Sequence, residues 1–267
     1  MPFNFHFTTI QILWTLTFAA LLVLLIVLLG RDRIKRFPWF TTSIVLMALR
    51  LLSSKLLFGK LPQLTLTEIF ITLADLIALV GLLVLVELAR RSFRGAPRAI
   101  WISNLAGALL VAGFVIAYWG PWPAWKTMTA DSLIAVLRLM QLAAQKLDIF
   151  TSVLAIELGL LVVLFGRRFG AGWRSHPQRI AIGLSTVAIG QLGVQGVWQL
   201  IAMKYVPQTQ AEYDKVIGLR DRLFNANGAL FVAVVLWWIV CLWIDEPGAK
   251  SDAPVEIPAE AEEERGA

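Results

Sequence analysis

The sequence contains few charged and reactive side chains. Only 16% of its 267 residues are charged, against roughly 25% in a soluble domain. There is one cysteine, Cys241, so no intrachain disulfide can form. The two histidines, His6 and His176, both fall outside the middle of the hydrophobic segments. A bis-histidine haem inside the membrane is therefore excluded, and a histidine-based metal site is not expected.

Motifs for common catalytic chemistry are also missing. The sequence holds no HExxH, no GxSxG and no GxxxxGK[ST]. The last hydrophobic segment has no lysine, which excludes a retinal Schiff base at the position that microbial rhodopsins use. We therefore expect no catalytic activity, no cofactor and no metal. Nucleic acid is not an expected partner either, because the basic residues behind the net charge of +6 sit in short loops beside hydrophobic segments.

Hydrophobic residues are abundant instead, at 58% of the chain with a mean hydropathy of +0.73. They occur in blocks about 20 residues long, which is the length of a transmembrane helix. This pattern predicts an all-α, polytopic membrane protein, with a bundle of seven transmembrane helices within residues 1–245. The acidic Pro/Ala/Glu-rich tail, 246–267, has too little apolar surface to fold and is predicted to be disordered. The predicted spans are 8–29, 37–58, 67–89, 99–119, 149–166, 180–203 and 223–244.

The basic residues of the loops predict the orientation. The loops after spans one, three and five each carry four basic residues, within 31–36, 90–98 and 167–179. The turn between spans two and three carries only Lys60, and the proline- and tryptophan-rich loop after span four, 120–129, carries only Lys126. Because basic loops stay on the cytoplasmic side, the N-terminus is predicted outside and the tail cytoplasmic. The predicted location is the cell inner membrane.

Two helices are longer than a bilayer requires. Residues 131–168 contain no proline and would form a helix roughly 57 Å long at ~1.5 Å per residue, while a bilayer core is only ~30 Å thick. Thr209 followed by Glu212 matches a capping box after Pro207, which starts the seventh helix well before its span. Both extensions are predicted to project from the outer membrane face.

Charged residues inside the spans are the candidate site. Each costs ~2.5–3.5 kcal/mol on insertion scales, so such residues usually face the bundle interior and pair. Arg50 and Asp75 are both predicted roughly 20 Å from the cytoplasmic ends of adjacent spans, which predicts an ion pair. Gln195 is at the same level, and Glu157 lies lower without a basic residue at its own depth except Arg50. Such an acid is expected to be neutral at pH 7 and suits a proton-coupling group.

Together the polar residues predict a pocket or pathway open to the outside. An alternative interpretation is a structural polar network that fixes helix register and binds no ligand. The predicted lining is Arg50, Asp75, Asp148, Glu157, Gln191, Gln195 and Asn225.

The functional hypothesis is an integral inner-membrane protein of receptor or sensor type. Its expected partners are the lipid bilayer, a small-molecule ligand and a cytoplasmic or membrane protein. One alternative is a small-solute transporter, with Glu157 coupling transport to protons. Another alternative is a structural subunit of a membrane complex.

Two proline–glutamine dipeptides, Pro62-Gln63 and Pro177-Gln178, resemble the PQ motif of sugar-exporter-like proteins. Those families also have seven spans and an outer N-terminus. In this chain both prolines are predicted to lie in loops rather than within spans. The resemblance is therefore one of topology and implies no substrate.

Overall fold

The computed structural model of the protein describes residues 8–93, 98–119, 133–165, 175–205 and 207–245. All regular secondary structure in these ranges is helical, so the prediction of an all-α chain is confirmed. The described residues form seven helices. They are α1 (Thr9–Gly30), α2 (Pro38–Leu56), α3 (Gln63–Ser92), α4 (Arg98–Tyr118), α5 (Leu133–Phe165), α6 (His176–Lys204) and α7 (Gln210–Trp243).

Five helices, α1, α3, α5, α6 and α7, are long and apolar enough to cross a membrane. Helix α2 carries Arg50 and Lys55, and the apolar part of α4 covers Ser103–Tyr118. Many large apolar side chains on the helix surfaces are exposed, as lipid contact requires. The chain is therefore a multi-pass helical membrane protein by length and composition, while the orientation and the number of crossings stay predictions.

Six helices close a ring in the order α1, α2, α3, α5, α6, α7 and back to α1. Helix α3 also contacts α6 across this ring. Helix α4 lies outside it. Within the described ranges, the backbone of α4 comes close to that of α5 and of no other helix. This peripheral position of α4 determines where a cavity forms.

Part of the core is formed by side chains of α2, α6 and α7. Phe40 and Trp238 are fully buried and form an edge-to-face aromatic pair with ring centroids 5.2 Å apart. Gly183 of α6 faces this pair, and a Cβ there would lie 2.3 Å from Trp238 Nε1. The glycine-rich sequence of the sixth span predicts a helix pressed between neighbours, and this contact confirms it at Gly183.

The helix starts and lengths follow the sequence signals. Thr209 accepts a hydrogen bond from the Glu212 backbone N–H at 3.3 Å, so the predicted start of the seventh helix is confirmed. Helices α5 and α7 contain 33 and 34 residues, which gives each a length of about 50 Å. Both are longer than the ~30 Å core of a bilayer. That their excess projects from the outer face stays a prediction.

The end of α7 is tied to the segment after α1. Asp245 forms ion pairs with Arg33 at 2.9 Å and with Arg31 at 3.6 Å. The Arg31 guanidinium also lies 4.9 Å from the centre of the Trp243 ring. His176 Nε2 is 3.0 Å from the carbonyl oxygen of Ile244. These contacts hold the start of α6 and the end of α7 against the loop after α1.

Candidate functional site

Helix α5 carries two acidic residues, Asp148 and Glu157, nine positions apart. The two residues lie in different environments. Asp148 is bonded to α6, whereas Glu157 lines a cavity between α3, α4 and α5. The single polar pocket predicted from the sequence is therefore divided into two separate regions.

The first region is a polar cluster of Arg50, Asp148, Gln191 and Gln195. Gln191 Nε2 donates a hydrogen bond to Asp148 Oδ2, and the Gln195 side chain is also hydrogen-bonded to the Asp148 carboxylate. Arg50 of α2 interacts with the same carboxylate electrostatically. The two glutamines lie one helical turn apart, so both reach one acceptor group. Four of the seven predicted site residues are thus brought together.

The remaining predicted residues are not part of this cluster. No ion pair joins Arg50 to Asp75 within the described ranges, and the electrostatic partner of Arg50 is Asp148. The ion-pair prediction used depth along the membrane alone, which leaves the rotation of each helix about its own axis undetermined. Asn225 is half-buried on α7, and none of the hydrogen bonds seen connects it to Asp148.

The second region is a cavity of about 290 Å³ between the C-terminal half of α3, the N-terminal half of α4 and the second half of α5. Its walls are made almost entirely of leucine, valine, alanine and phenylalanine side chains. Glu157 and Asn104 are its two polar lining residues. The volume lies near the lower limit of small-molecule pockets, which hold roughly 300–1,000 Å³.

Glu157 has an unusual environment in this cavity. Its Oε2 atom is shielded from solvent and has no hydrogen-bond partner in the described part of the protein. Buried polar atoms are nearly always paired, and an unpaired one needs an explanation. An ionisable residue within a membrane span is, by default, a candidate functional residue. The cavity around Glu157 is therefore the stronger candidate site of the two regions.

Helix α4 is attached to the bundle mainly through its C-terminal half. Lys146 of α5 donates to the carbonyl oxygens of Ile116, at 3.3 Å, and Trp119. Ala112 is fully buried against Ile149 and Val153 of α5. A positive side chain at a helix C-terminus also compensates the helix dipole. The N-terminal half of α4 instead stands away from α3 and forms a cavity wall.

Sequence reasoning missed two of these features. The spacing of Asn104, Ala108 and Ala112, one helical turn apart, predicts only close helix packing, yet Asn104 and Ala108 line the cavity. Lys146 was not singled out at all. The available signal was a lysine two residues before a buried acid on an otherwise apolar helix.

Two further cavities lie near helix ends. One of about 420 Å³ lies between the N-terminal parts of α3 and α5, with Thr67, Arg138 and Gln141 in its lining. The other, of about 480 Å³, lies between the end of α6 and the start of α7, beside Lys204 and Lys215. Within the residues that the structure describes, no group of three or more His, Cys, Asp or Glu side chains is arranged to hold a metal ion.

Comparison with known proteins supplies no relative for this arrangement. No known protein family, no curated protein and no solved structure matches the chain. The geometry of the Glu157 cavity is thus the basis for a functional interpretation.

Proposed function

We propose that the protein is an inner-membrane receptor or sensor that binds a small molecule in the cavity beside Glu157, without catalysis. The observation that carries this proposal is the Oε2 atom of Glu157, which is shielded from solvent and has no hydrogen-bond partner among the described residues, in a largely apolar cavity of about 290 Å³. A ligand that hydrogen-bonds to this oxygen would satisfy it. A purely structural role would instead favour an apolar residue here, because an unpaired buried polar atom costs about 1–3 kcal/mol.

The Asp148 cluster has a structural role in this proposal. Its carboxylate already has two amide partners, Gln191 and Gln195, and a nearby guanidinium, Arg50. Polar networks of this kind serve as connections between membrane helices. We assign the structural interpretation of the polar residues to this cluster and the ligand-binding interpretation to Glu157.

The proposed orientation puts the cavity in the cytoplasmic half of the bilayer. The C-terminal end of α3 and the start of α4 border it, and the connection between these helices is one of the strongly basic loops. This differs from the outward-opening pocket expected from the sequence. A sensor of this kind would pass ligand occupancy to a cytoplasmic partner through movement of α4, the helix with the fewest neighbours.

A proton-coupled transporter is the second candidate. The free oxygen of Glu157 supports it, because a carboxyl group in an apolar site can exchange a proton when a ligand arrives. The cavity and the Asp148 cluster share no residue. For this reason we rank binding above transport.

Native mass spectrometry of the protein extracted with its lipids tests the binding proposal. We expect a bound small molecule on the wild type, retained in Asp75→Asn and lost in Glu157→Gln. Asp75→Asn is the matched control because it neutralises another half-buried acid outside the cavity. Equal occupancy in all three proteins would contradict the proposal.

Two further measurements separate the alternatives. Proton flux in proteoliposomes that stops in Glu157→Gln would establish transport instead of sensing. Co-purifying protein subunits with no bound small molecule would favour a structural role in a complex.

A further inference from the structure

The cavity has one acidic lining residue and no basic one. Among the residues that the structure describes, all lining residues except Glu157 and Asn104 are apolar, so none of these residues supplies a cation to balance a carboxylate there. A buried carboxylate costs much less free energy when an opposite charge with N–H donors pairs with it than when it stays unpaired. The chemistry that best complements this site is therefore a single protonated amine.

The rest of the cavity limits the shape of the ligand. The volume of about 290 Å³ is small and its walls are aliphatic or aromatic, which fits one alkyl chain better than a large ring system. Asn104 offers an amide oxygen and an amide N–H as a second polar contact. A molecule with one polar end and one apolar chain uses both parts of this lining.

The way into the cavity faces lipid. The backbones of α3 and α4 do not come close together within the described ranges, and the cavity fills the gap between them. Val86, Leu105 and Leu109 border this gap and are exposed. Apolar borders admit molecules dissolved in the bilayer more readily than hydrated solutes. Lys146 holds the opposite end of α4 on α5, so the gap lies along the N-terminal half of α4.

We infer that the ligand is a single-chain amphiphilic amine that enters sideways from the bilayer between α3 and α4 and pairs its ammonium group with Glu157. This inference rests on the proposed function, since it names the ligand class of the same cavity. No bond is made or broken. The amine arrives protonated, or it takes the proton of the Glu157 carboxyl group, and either route gives one ammonium–carboxylate pair.

The test is binding of tritiated decylamine to the protein in phosphatidylcholine nanodiscs, measured by scintillation proximity. Phosphatidylcholine is chosen because its head group has no N–H donor. We expect saturable binding that unlabelled decylamine displaces and that decanol and decanoate displace about tenfold less well or worse. Glu157→Gln is expected to weaken decylamine binding by about tenfold or more.

Paired tryptophan variants test the route of entry. Leu109 lines the gap and is 45% exposed, whereas its neighbour Leu110 is 75% exposed and lies outside the cavity. Leu109→Trp is expected to slow or abolish decylamine binding, and Leu110→Trp to leave it unchanged. Leu154→Phe, which reduces the cavity volume from α5, provides a second loss variant in case Glu157→Gln does not fold. The thermal unfolding temperature of each variant shows that it is folded.

Several outcomes would overturn the inference. Equal displacement by decanol and decylamine would exclude the amine class, and equal binding by Leu109→Trp and Leu110→Trp would exclude the lateral entry. Neither result affects the proposed function if native mass spectrometry still finds a molecule that Glu157→Gln loses. If that molecule is absent as well, the proposed function fails together with the inference.

Discussion

The two sides of α5 differ in how they satisfy polar groups and fill space. Toward α6, Asp148 is bonded to Gln191, and Gly159 approaches Ser185 so closely that a Cβ on the glycine would lie 2.4 Å from the serine Cβ. Toward α3 and α4, Glu157 faces a cavity and has an oxygen that no described residue hydrogen-bonds. Around Glu157, the α6 side of the helix is a closely packed interface, whereas the side toward α3 and α4 contains a cavity.

This difference indicates which intramembrane acid has a structural role. Both acids lie on the same helix, and both would be expensive in lipid without compensation. Asp148 receives its compensation from within the protein. Glu157 does not receive it from the residues that the structure describes. The presence of hydrogen-bond partners, more than charge or depth, therefore distinguishes an acid that connects helices from an acid in a candidate binding site.

The largest expected effect is on the α6 side. Asp148→Leu removes the shared acceptor of Gln191 and Gln195 and the charge facing Arg50. We expect it to lower the free energy of unfolding by about 3 kcal/mol, as other broken buried polar pairs do. Chemical denaturation in detergent measures this. Asp148→Asn is the control and should cost less, because its amide oxygen still accepts a hydrogen bond. Wild-type stability in Asp148→Leu would mean that the cluster holds nothing together.

The second prediction concerns the close contact at Gly159. Gly159→Ala places a methyl group against Ser185, so we expect a loss of about 2 kcal/mol in the free energy of unfolding from overpacking. Gly107→Ala on α4 is the matched control, since nothing lies within 4 Å of a Cβ there. This control should be neutral or slightly stabilising, because alanine favours helix formation over glycine. Equal losses in the two variants would show that the close approach of Gly159 to Ser185 does not limit the size of the residue at position 159.

The third prediction is a gain in stability rather than a loss. Glu157→Leu replaces an unpaired carboxyl group by an apolar side chain in an apolar cavity. We expect the free energy of unfolding of the ligand-free protein to rise by about 1 kcal/mol. Thermal unfolding in detergent without added amphiphile measures this rise. A clear loss of stability would reveal a structural partner of Glu157 and would remove the contrast with Asp148.

The smallest effect is expected at the attachment of α4. Lys146→Met keeps the apolar length of the side chain but loses the bonds to the carbonyl oxygens of Ile116 and Trp119. We expect a loss of about 1 kcal/mol or less, together with faster hydrogen exchange in α4 than in α6. Unchanged exchange in α4 would show that the packing of Ala112 alone holds this helix.

Most of the fold was predictable from the sequence. The hydrophobic blocks and the Thr209 cap gave seven helices and the start of α7, because helix length and capping are local properties. The order of the ring and the position of α4 outside it were not predictable. They depend on which helix faces match, and the hydrophobic helices of a membrane protein carry little amphipathic pattern to indicate those faces.

The candidate site was predictable only in its parts. The sequence identified Glu157 as an acid inside a span and Asp148 as an acid just before the same span, and Gln191 and Gln195 lie one helical turn apart, on one face. It assigned Arg50 to Asp75 rather than Asp148, since rise per residue fixes depth but not direction around the helix. It also joined into one pocket what the structure separates into two regions.

The sequence by itself determined that this chain is a helical membrane protein with acids inside its spans. The length of each hydrophobic segment and the charged residues within it can be read directly along the chain. Only the tertiary structure decided which acid has partners. Asp148 turns toward two amides of α6, while Glu157 faces a gap that exists because α4 stands outside the ring. That outcome depends on how seven helices rotate and pack against one another, which no single segment specifies.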